Sequence, residues 1–296
     1  MLLPNIETFT IPFNDSYTRL GIKVLSLLTL FDDFPTSNNR RKGSHVIVLL
    51  KDLIPEKDHG QGLNPGQKSQ DLKKPPPTGH VQEAVLREFN DRILLVGGFD
   101  GCSWLSALDS YSPSQDMVKS LKPITSLQAF AAAATLDGKL YMIGGLDDGT
   151  PQATVESYNP TDDQWVSCPP LNQKKTWAAG ASLNGKIYAT GGANVVECYA
   201  EVEISVERYD SREDSWTWVQ NMRAKRAGHS VVVVNGKLYA LGGSYNGYER
   251  VATVEIFDPR VNVWMLGEPM NYAKDYSGAA AIGEKIFVIG DREKFT

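Results

Sequence analysis

The chain has 296 residues, of which 42% are apolar before its 26 glycines are counted, a composition that excludes a wholly disordered protein. Thirty Lys and Arg residues against 35 Asp and Glu residues give a net charge of -5, so we expect no nucleic-acid partner. The three cysteines form no CxxC pair, which indicates a reducing compartment, the cytoplasm or the nucleus. No secretory signal or membrane span is expected, because no apolar stretch is long enough.

Residues 1–82 differ in composition from the rest of the chain. Residues 1–59 form an N-terminal extension, in which Leu20, Val24, Leu27, Leu28 and Phe31 have the spacing of a short amphipathic helix. The segment from His45 to Leu50 has the composition of a strand. Residues 60–82 are rich in Gly, Pro and Lys, which predicts a linker.

From residue 83 onward a pattern recurs about every 48 residues, with steps of 47, 47, 51 and 48 between the first glycines of successive copies at 97, 144, 191, 242 and 290. Each copy has an apolar strand that ends in a glycine pair: Gly97-Gly98, Gly144-Gly145, Gly191-Gly192, Gly242-Gly243 and, altered in the last copy, Gly290-Asp291. A two-residue turn precedes each of these strands: Asn90-Asp91, Asp137-Gly138, Asn184-Gly185, Asn235-Gly236 and Gly283-Glu284. Such dipeptides favour a tight β-hairpin.

Two aromatic positions keep the same register. A strand ends at Tyr111, Tyr158, Tyr209 and Phe257, and seven residues later stand Trp165, Trp216 and Trp264, with Val118 in the first copy. The pattern of each copy therefore predicts four short antiparallel strands, which we call a to d in chain order. Because such a small sheet cannot bury both of its faces alone, we expect the units to stack radially as propeller blades, with the aromatic residues packed between neighbours.

The glycine pairs followed by Tyr and Trp at this spacing resemble the kelch repeat over residues 83–291. The first copy is similar to the opening repeat of plant proteins that join a developmental-and-cell-death domain to kelch repeats, homologues of an influenza non-structural-protein-binding kelch protein. The resemblance implies an all-β, kelch-type β-propeller over residues 83–296. Its blades are expected at about 83–121, 128–168, 175–219 and 226–267, with a partial blade at 274–291.

Four full blades and two strands of a fifth would leave the propeller incomplete. Three explanations remain open: a truncated product, which we favour, completion by a partner, or a strand from the N-terminal region, for which His45 to Leu50 is the best candidate. An unpaired strand edge would also invite self-association.

The sequence does not favour an enzymatic function. Copper oxidases with kelch repeats imply two His and two Tyr ligands, whereas only His229 lies inside the blades, so we expect no catalytic, cofactor-binding or metal-binding residues. His229 is more typical of a hydrogen-bonded structural histidine. An acidic residue stands two positions before each strand c aromatic, at Asp109, Glu156, Glu207 and Glu255, and its recurrence favours a structural role.

Antiparallel order places the b–c loops and the loops between blades at one end of the molecule, and these loops vary where the hairpin turns do not. Tyr, Trp and Arg, which are favoured at interface hot spots, concentrate there. The candidate partner-binding residues are Tyr199, Arg223, Arg226, Tyr245, Tyr248, Arg250, Tyr272 and Lys274, together with Trp177 and Tyr276. For Trp177 and Tyr276 a role in plugging the propeller axis is about equally open.

The leading hypothesis is a non-enzymatic module that binds another protein, with an acidic peptide segment as the suggested ligand. The kelch resemblance implies two settings, substrate recognition for a cullin-RING ubiquitin ligase and actin or stress-response scaffolding. No BTB or F-box segment is recognisable in residues 1–82. An oxidoreductase or lyase with a metal on the propeller axis is the remaining alternative.

Overall fold

The computed structural model describes residues 93–97, 104–112, 115–196, 199–282 and 284–289, together with the backbone of three earlier strands. Every regular element in these residues is a β-strand, so the predicted all-β class is confirmed. No helix in the described ranges has the length and apolarity to cross a membrane. The expected linker at 60–82 and the turn at Asn90-Asp91 lie outside the described residues.

Four blade sheets are built in chain order around the inner strands. The first contains β2 (Leu27–Leu30), β3 (His45–Leu49), β4 (Ile93–Val96), β5 (Leu108–Ser112) and β6 (Met117–Leu121). The second contains β7 (Ala132–Leu136), β8 (Lys139–Ile143), β11 (Val155–Asn159) and β12 (Gln164–Cys168). The third contains β13 (Ala179–Leu183), β14 (Lys186–Thr190), β17 (Val206–Asp210) and β18 (Ser215–Trp218). The fourth contains β19 (Ser230–Val234), β20 (Lys237–Leu241), β21 (Val254–Asp258) and β22 (Val263–Leu266).

A fifth sheet contains β23 (Gly278–Ile282), β24 (Lys285–Ile289) and β1 (Ile6–Phe9), and two short hairpins lie outside the blades: β9 (Leu146–Asp147) with β10 (Thr150–Pro151), and β15 (Ala193–Val196) with β16 (Tyr199–Val202). The inner strands β3, β7, β13, β19 and β23 contact one another in that order. Strand β2 pairs with β3 and also contacts β23. The inner strands therefore follow one another around a common axis.

The hairpin turns between strands a and b have the conformation that their sequence predicts. Asp137 and Gly138 have φ of 50° and 74°, and Asn184 and Gly185 have φ of 53° and 69°. Positive φ at both central residues is the type I′ geometry, which matches the right-handed twist of the flanking strands.

In the second, third and fourth blades, the glycine pair joins the blade to the next one. A Cβ on Gly144 would lie 2.3 Å from the carbonyl oxygen of Lys175 in the following blade, and the Gly145 amide donates a hydrogen bond to that same oxygen at 2.7 Å. Gly242 and Gly243 meet the Lys274 carbonyl in the same way. The pair is needed because only glycine lets this carbonyl come so close to a backbone at positive φ.

The repeated aromatic residues pack at the blade junctions, as predicted. Trp216 donates from its indole nitrogen to the Pro169 carbonyl of the preceding blade at 3.0 Å, and Trp165 and Trp264 donate to equivalent carbonyls. The Tyr209 hydroxyl donates to Asp214 in the c–d turn at 2.6 Å. Four separate apolar clusters fill the junctions between successive sheets.

The N-terminal region departs from two expectations. The amphipathic helix expected between Leu20 and Phe31 is corrected, because Leu27–Leu30 forms β2 and pairs with β3. Strand a of the first blade was expected shortly after residue 83, but β3 takes the position beside β4. The sequence of β3 is apolar and β-branched, which is typical of a strand inside a sheet.

Candidate partner-binding rim

The loops at one end of the blades form the surface that we call the rim. It consists of the described residues of the b–c loops, at about 104–107, 144–154, 191–196, 199–205 and 242–253, and of the inter-blade loops, at about 122–131, 169–178, 219–229 and 267–277. The b–c loops extend as short hairpins, β9–β10 in the second blade and β15–β16 in the third, and Ser244 bridges Arg250 in the fourth. The inner ends of these hairpins are bridged to the inter-blade loops, for example Thr176 to Ala193.

Arg226 lies under the rim and not on it. Its side chain is fully buried and forms an ion pair with Glu255 at 3.2 Å. The guanidinium also donates to the carbonyls of Gly242 at 2.7 Å and Thr253 at 2.9 Å. These bonds fix the start of one blade to its own b–c loop, which corrects the interpretation of Arg226 as a surface contact.

The other cations at this repeat position are buried as well. Lys274 is 1% exposed, so its interpretation as a partner contact is corrected in the same way. Lys175 is fully buried and donates to the Ser205 hydroxyl, and burial lowers the pKa of its ammonium group while Glu207 partly offsets that effect. Side chains at this position therefore point into the sheet junction, where a charge is tolerated only with a partner.

The recurrent acids of strand c have the structural role that their repetition predicts. Glu207 accepts hydrogen bonds from the backbone amides of Asn172 at 2.7 Å and Gln173 at 3.3 Å. Glu255 accepts from the amides of Arg223 and Ala224 at 2.7 and 3.1 Å. Each acid thus holds the inter-blade loop that precedes its own blade. Burial raises the pKa of Glu207, and the hydrogen bonds from Asn172 oppose that rise.

A chain of backbone hydrogen bonds crosses the inner ends of the blades. The Trp177 amide donates to the Phe130 carbonyl at 3.1 Å, Gly228 donates to Trp177 at 2.8 Å, and Tyr276 donates to Gly228 at 2.7 Å. Phe130, Trp177 and Tyr276 adopt positive φ, between 48° and 56°. The Phe130 and Trp177 rings lie 5.9 Å apart, and Tyr276 covers Gly228. Trp177 and Tyr276 are partly buried, so only part of each ring is open on the rim.

The exposed side chains of the rim are mostly aromatic and cationic. Tyr248 is 89% exposed, Tyr272 66% and Tyr245 43%. Arg223, on the inter-blade loop that precedes the fourth blade, is also exposed. The Tyr245 hydroxyl donates to Glu249 at 2.5 Å. The side chain of Tyr199, which begins β16, lies outside the described residues.

Arg250 is held by the loop that follows its blade. Its guanidinium forms an ion pair with Asp275 at 2.9 Å, and its side chain is 23% exposed. It therefore connects a b–c loop to an inter-blade loop and presents only a small part of its charge to solvent.

Sequence reasoning missed two exposed cations, Lys174 and Lys225. Each stands one residue before a buried cation, Lys175 or Arg226, and each is exposed. The available signal was the paired sequence Lys174-Lys175 and Lys225-Arg226, since adjacent residues in an extended segment point in opposite directions.

His229 occupies a buried structural position. Its Nε2 lies 2.8 Å from the Thr190 hydroxyl, and burial together with the charge of Arg226 lowers its pKa to about 3. Within the ranges that the structure describes, no cluster of three His, Cys, Asp or Glu side chains has the geometry of a metal site.

Comparison with known proteins supports this architecture. The kelch motif matches residues 129–172, 178–223 and 225–271. Kelch-like protein 25 of Xenopus tropicalis is 33% identical over 91 residues, which is 31% of this chain and 15% of that protein. Kelch-like protein 6 of Homo sapiens is 31% identical over 90 residues, 30% of this chain and 14% of that protein. An F-box/kelch-repeat protein of Arabidopsis thaliana is 29% identical over 91 residues, 31% of this chain and 24% of that protein.

The matched segment thus spans less than a quarter of the length of these relatives. Among solved structures, that of YjhT aligns with a TM-score of 0.54 and 20% identity over 64% of this chain and 65% of that one, a likeness of fold. The three matched kelch motifs each coincide with one complete four-stranded blade sheet, the second, third and fourth.

Proposed function

We propose that the protein is a non-enzymatic interaction module that binds another protein through the rim. The observation that carries this proposal is the separation of roles along the repeat: the recurrent acids and cations are used inside the junctions, while exposed Tyr, Lys and Arg side chains remain on the variable loops. Exposed aromatic and Arg side chains are typical of interface hot spots. The similarity to Kelch-like proteins supports a protein-interaction role.

The proposed ligand is an acidic peptide segment. Three exposed cations, Lys174, Arg223 and Lys225, lie on two successive inter-blade loops. Tyr245, Tyr248 and Tyr272 lie on the adjoining b–c and inter-blade loops. A peptide carboxylate would gain charge-assisted hydrogen bonds from the cations, and the tyrosine rings would cover its apolar atoms.

The cellular role in which the rim binds its partner is also a proposal. Substrate recognition for a cullin-RING ubiquitin ligase is supported by the similarity to the F-box/kelch-repeat protein of Arabidopsis thaliana, and an actin or stress-response scaffold is the alternative. The narrower relation to plant developmental-and-cell-death-domain kelch proteins, a location in the cytoplasm or nucleus, and self-association at the sheet edge stay predictions. Elemental analysis of the purified protein would separate all of these from a metal enzyme, because only the latter would carry metal at unit stoichiometry.

A peptide array in which the number of Asp and Glu residues varies tests the proposed ligand directly. We expect binding to rise with acidic content and to fall at least about tenfold for the double variant Arg223→Glu/Lys225→Glu, since each lost charge-assisted bond is worth about 1.5–3 kcal/mol. Arg212→Glu is the matched control, because Arg212 is an exposed cation in a c–d turn at the opposite end of the blade. Equal losses for the double variant and the control, or no preference for acidic peptides, would contradict the proposal.

A further inference from the structure

One position of strand d changes its chemistry between the blades. It lies two residues after the Val or Trp of strand d and directly opposite the recurrent acid of strand c, and in the four blade sheets it is Ser120, Ser167, Trp218 and Leu266. In the first sheet the Ser120 hydroxyl donates to Asp109 at 2.7 Å. A small polar side chain is therefore sufficient for the fold at this position, and Trp218 and Leu266 need a separate explanation.

Trp218 and Leu266 lie where their strands reach the rim. They are the last residues of β18 and β22, directly before an inter-blade loop begins. Trp218 is 51% exposed and Leu266 is 65% exposed. Single exposed apolar residues are common on protein surfaces, so these two gain a meaning only from the groups around them.

The strand c acid places Trp218 beside the inter-blade loop that precedes its blade. Glu207 stands opposite Trp218 and accepts from the amides of Asn172 and Gln173 at 2.7 and 3.3 Å. The Nζ of the buried Lys175 lies 5.8 Å from the centre of the Trp218 ring, which is a cation–π distance. The ring is thus held against this loop with about half of its surface open to solvent.

Leu266 has the same surroundings one blade further on. It stands opposite Glu255, which accepts from the amides of Arg223 and Ala224 at 2.7 and 3.1 Å. The side chain of Arg223 is exposed, and so is that of Lys225 in the same loop. Leu266 therefore lies beside a loop that presents positive charge to solvent.

The inter-blade loops change together with strand d. The loop residue directly before the buried residue of the repeat and the strand d residue form the pairs Leu127 with Ser167, Lys174 with Trp218, and Lys225 with Leu266. Both lysines are exposed. A cation and a large apolar side chain thus occur together between the second and third blades and again between the third and fourth.

We propose that Trp218 and Leu266 bind large apolar side chains of the partner segment, which therefore carries such side chains next to its acids. This inference rests on the proposed function and adds a second requirement to the ligand. The acids pair with Lys174, Arg223 and Lys225, and the apolar side chains beside them cover the exposed parts of Trp218 and Leu266. A purely acidic segment would leave both apolar surfaces in water, and a purely apolar one would leave the cations without counter-charges.

Two labelled acidic peptides of equal length and charge provide the probe, one with Leu and one with Ser between its Glu residues. In a fluorescence anisotropy titration of the full chain, we expect the Leu peptide to bind about tenfold more tightly, because it buries part of a Leu side chain at each apolar surface. The variant Trp218→Ser/Leu266→Ser should abolish this preference and leave the affinity for the Ser peptide unchanged. The variant should fold, since the first two blades already have Ser at this position.

Met265→Ser is the matched control. Met265 is the chain neighbour of Leu266 and is 42% exposed, but it stands opposite Ile256 on the other face of the sheet, so its replacement should keep the preference for the Leu peptide. Equal affinities of the unaltered chain for the two peptides, a preference that survives the double variant, or an equal loss in Met265→Ser would overturn the inference and leave the proposed function standing. Failure of both peptides to bind would overturn the proposed function and this inference with it.

Discussion

Lys225 and Arg226 are neighbours in the chain, yet they belong to two regions with different physics. Arg226 lies in a blade junction, fully buried, and is bonded to Glu255 and to two backbone carbonyls. Lys225 lies on the rim and is exposed. A repeat therefore uses the same residue type for two purposes. The direction of the side chain relative to the sheet, more than its charge, separates residues that hold the fold from residues free to recognise a partner.

The largest expected difference between the two regions comes from removing each cation. Arg226→Ala should lower the free energy of unfolding by about 3–5 kcal/mol, because it leaves the buried Glu255 carboxylate without its counter-charge. Lys225→Ala should change it by less than about 0.5 kcal/mol. Urea unfolding followed by Trp fluorescence measures both, and equal effects would contradict the assignment of Arg226 to the interior.

Replacing one glycine in a blade junction and one on the rim compares the two regions without changing any charge. Gly242→Ala should lower the free energy of unfolding by more than about 2 kcal/mol, because the new Cβ would lie 2.3 Å from the Lys274 carbonyl oxygen. Gly247→Ala on the rim keeps the cost of a positive φ but meets no atom within 4 Å, so a loss of about 1 kcal/mol is expected. Thermal unfolding should therefore give Gly242→Ala a clearly lower midpoint temperature than Gly247→Ala.

A fall in pH should lower the free energy of unfolding through His229, which is buried. Its pKa is lowered to about 3 in the folded protein, whereas an unfolded histidine has a pKa near 6.5. Below pH 6.5 the unfolded chain therefore binds a proton that the folded chain does not, and this group removes about 1.4 kcal/mol of stability per pH unit until about pH 3. Comparing wild type with His229→Asn between pH 4.5 and 7.5 isolates the effect. An unchanged pH slope in the variant would show that His229 is not the responsible group.

The smallest expected effect concerns a tyrosine hydroxyl in each region. Tyr209→Phe removes the bond to Asp214 and should lower the free energy of unfolding by about 1 kcal/mol. The fourth blade already has Phe257 at this position, so the ring itself should fit. Tyr248→Phe on the rim should leave stability unchanged, and an equal loss in both variants would argue against a specific role for the Tyr209 hydroxyl.

The sequence predicted most where the signal is local. Asp137-Gly138 and the glycine pairs require positive φ within two residues, so their composition alone indicates the turn and the close approach. The strand c acids were assigned a structural role from recurrence alone, and Glu207 and Glu255 have it.

The sequence predicted less where long-range contacts decide. The spacing of Leu20, Val24 and Leu27 favours a helix, but pairing with β3 makes Leu27–Leu30 a strand, since tertiary contacts override local propensity. The burial of Arg226 and Lys274 depends on which way the chain enters each sheet, and residue type alone does not show that direction.

Hydrogen exchange of the protein, free and bound to a captured partner, shows which end of the blades the partner covers. We expect protection on binding in the rim loops at 172–175, 222–225, 244–250 and 268–273 and not in the hairpin turns at 137–138, 184–185 and 235–236. Protection confined to those turns, with the rim loops unchanged, would contradict it.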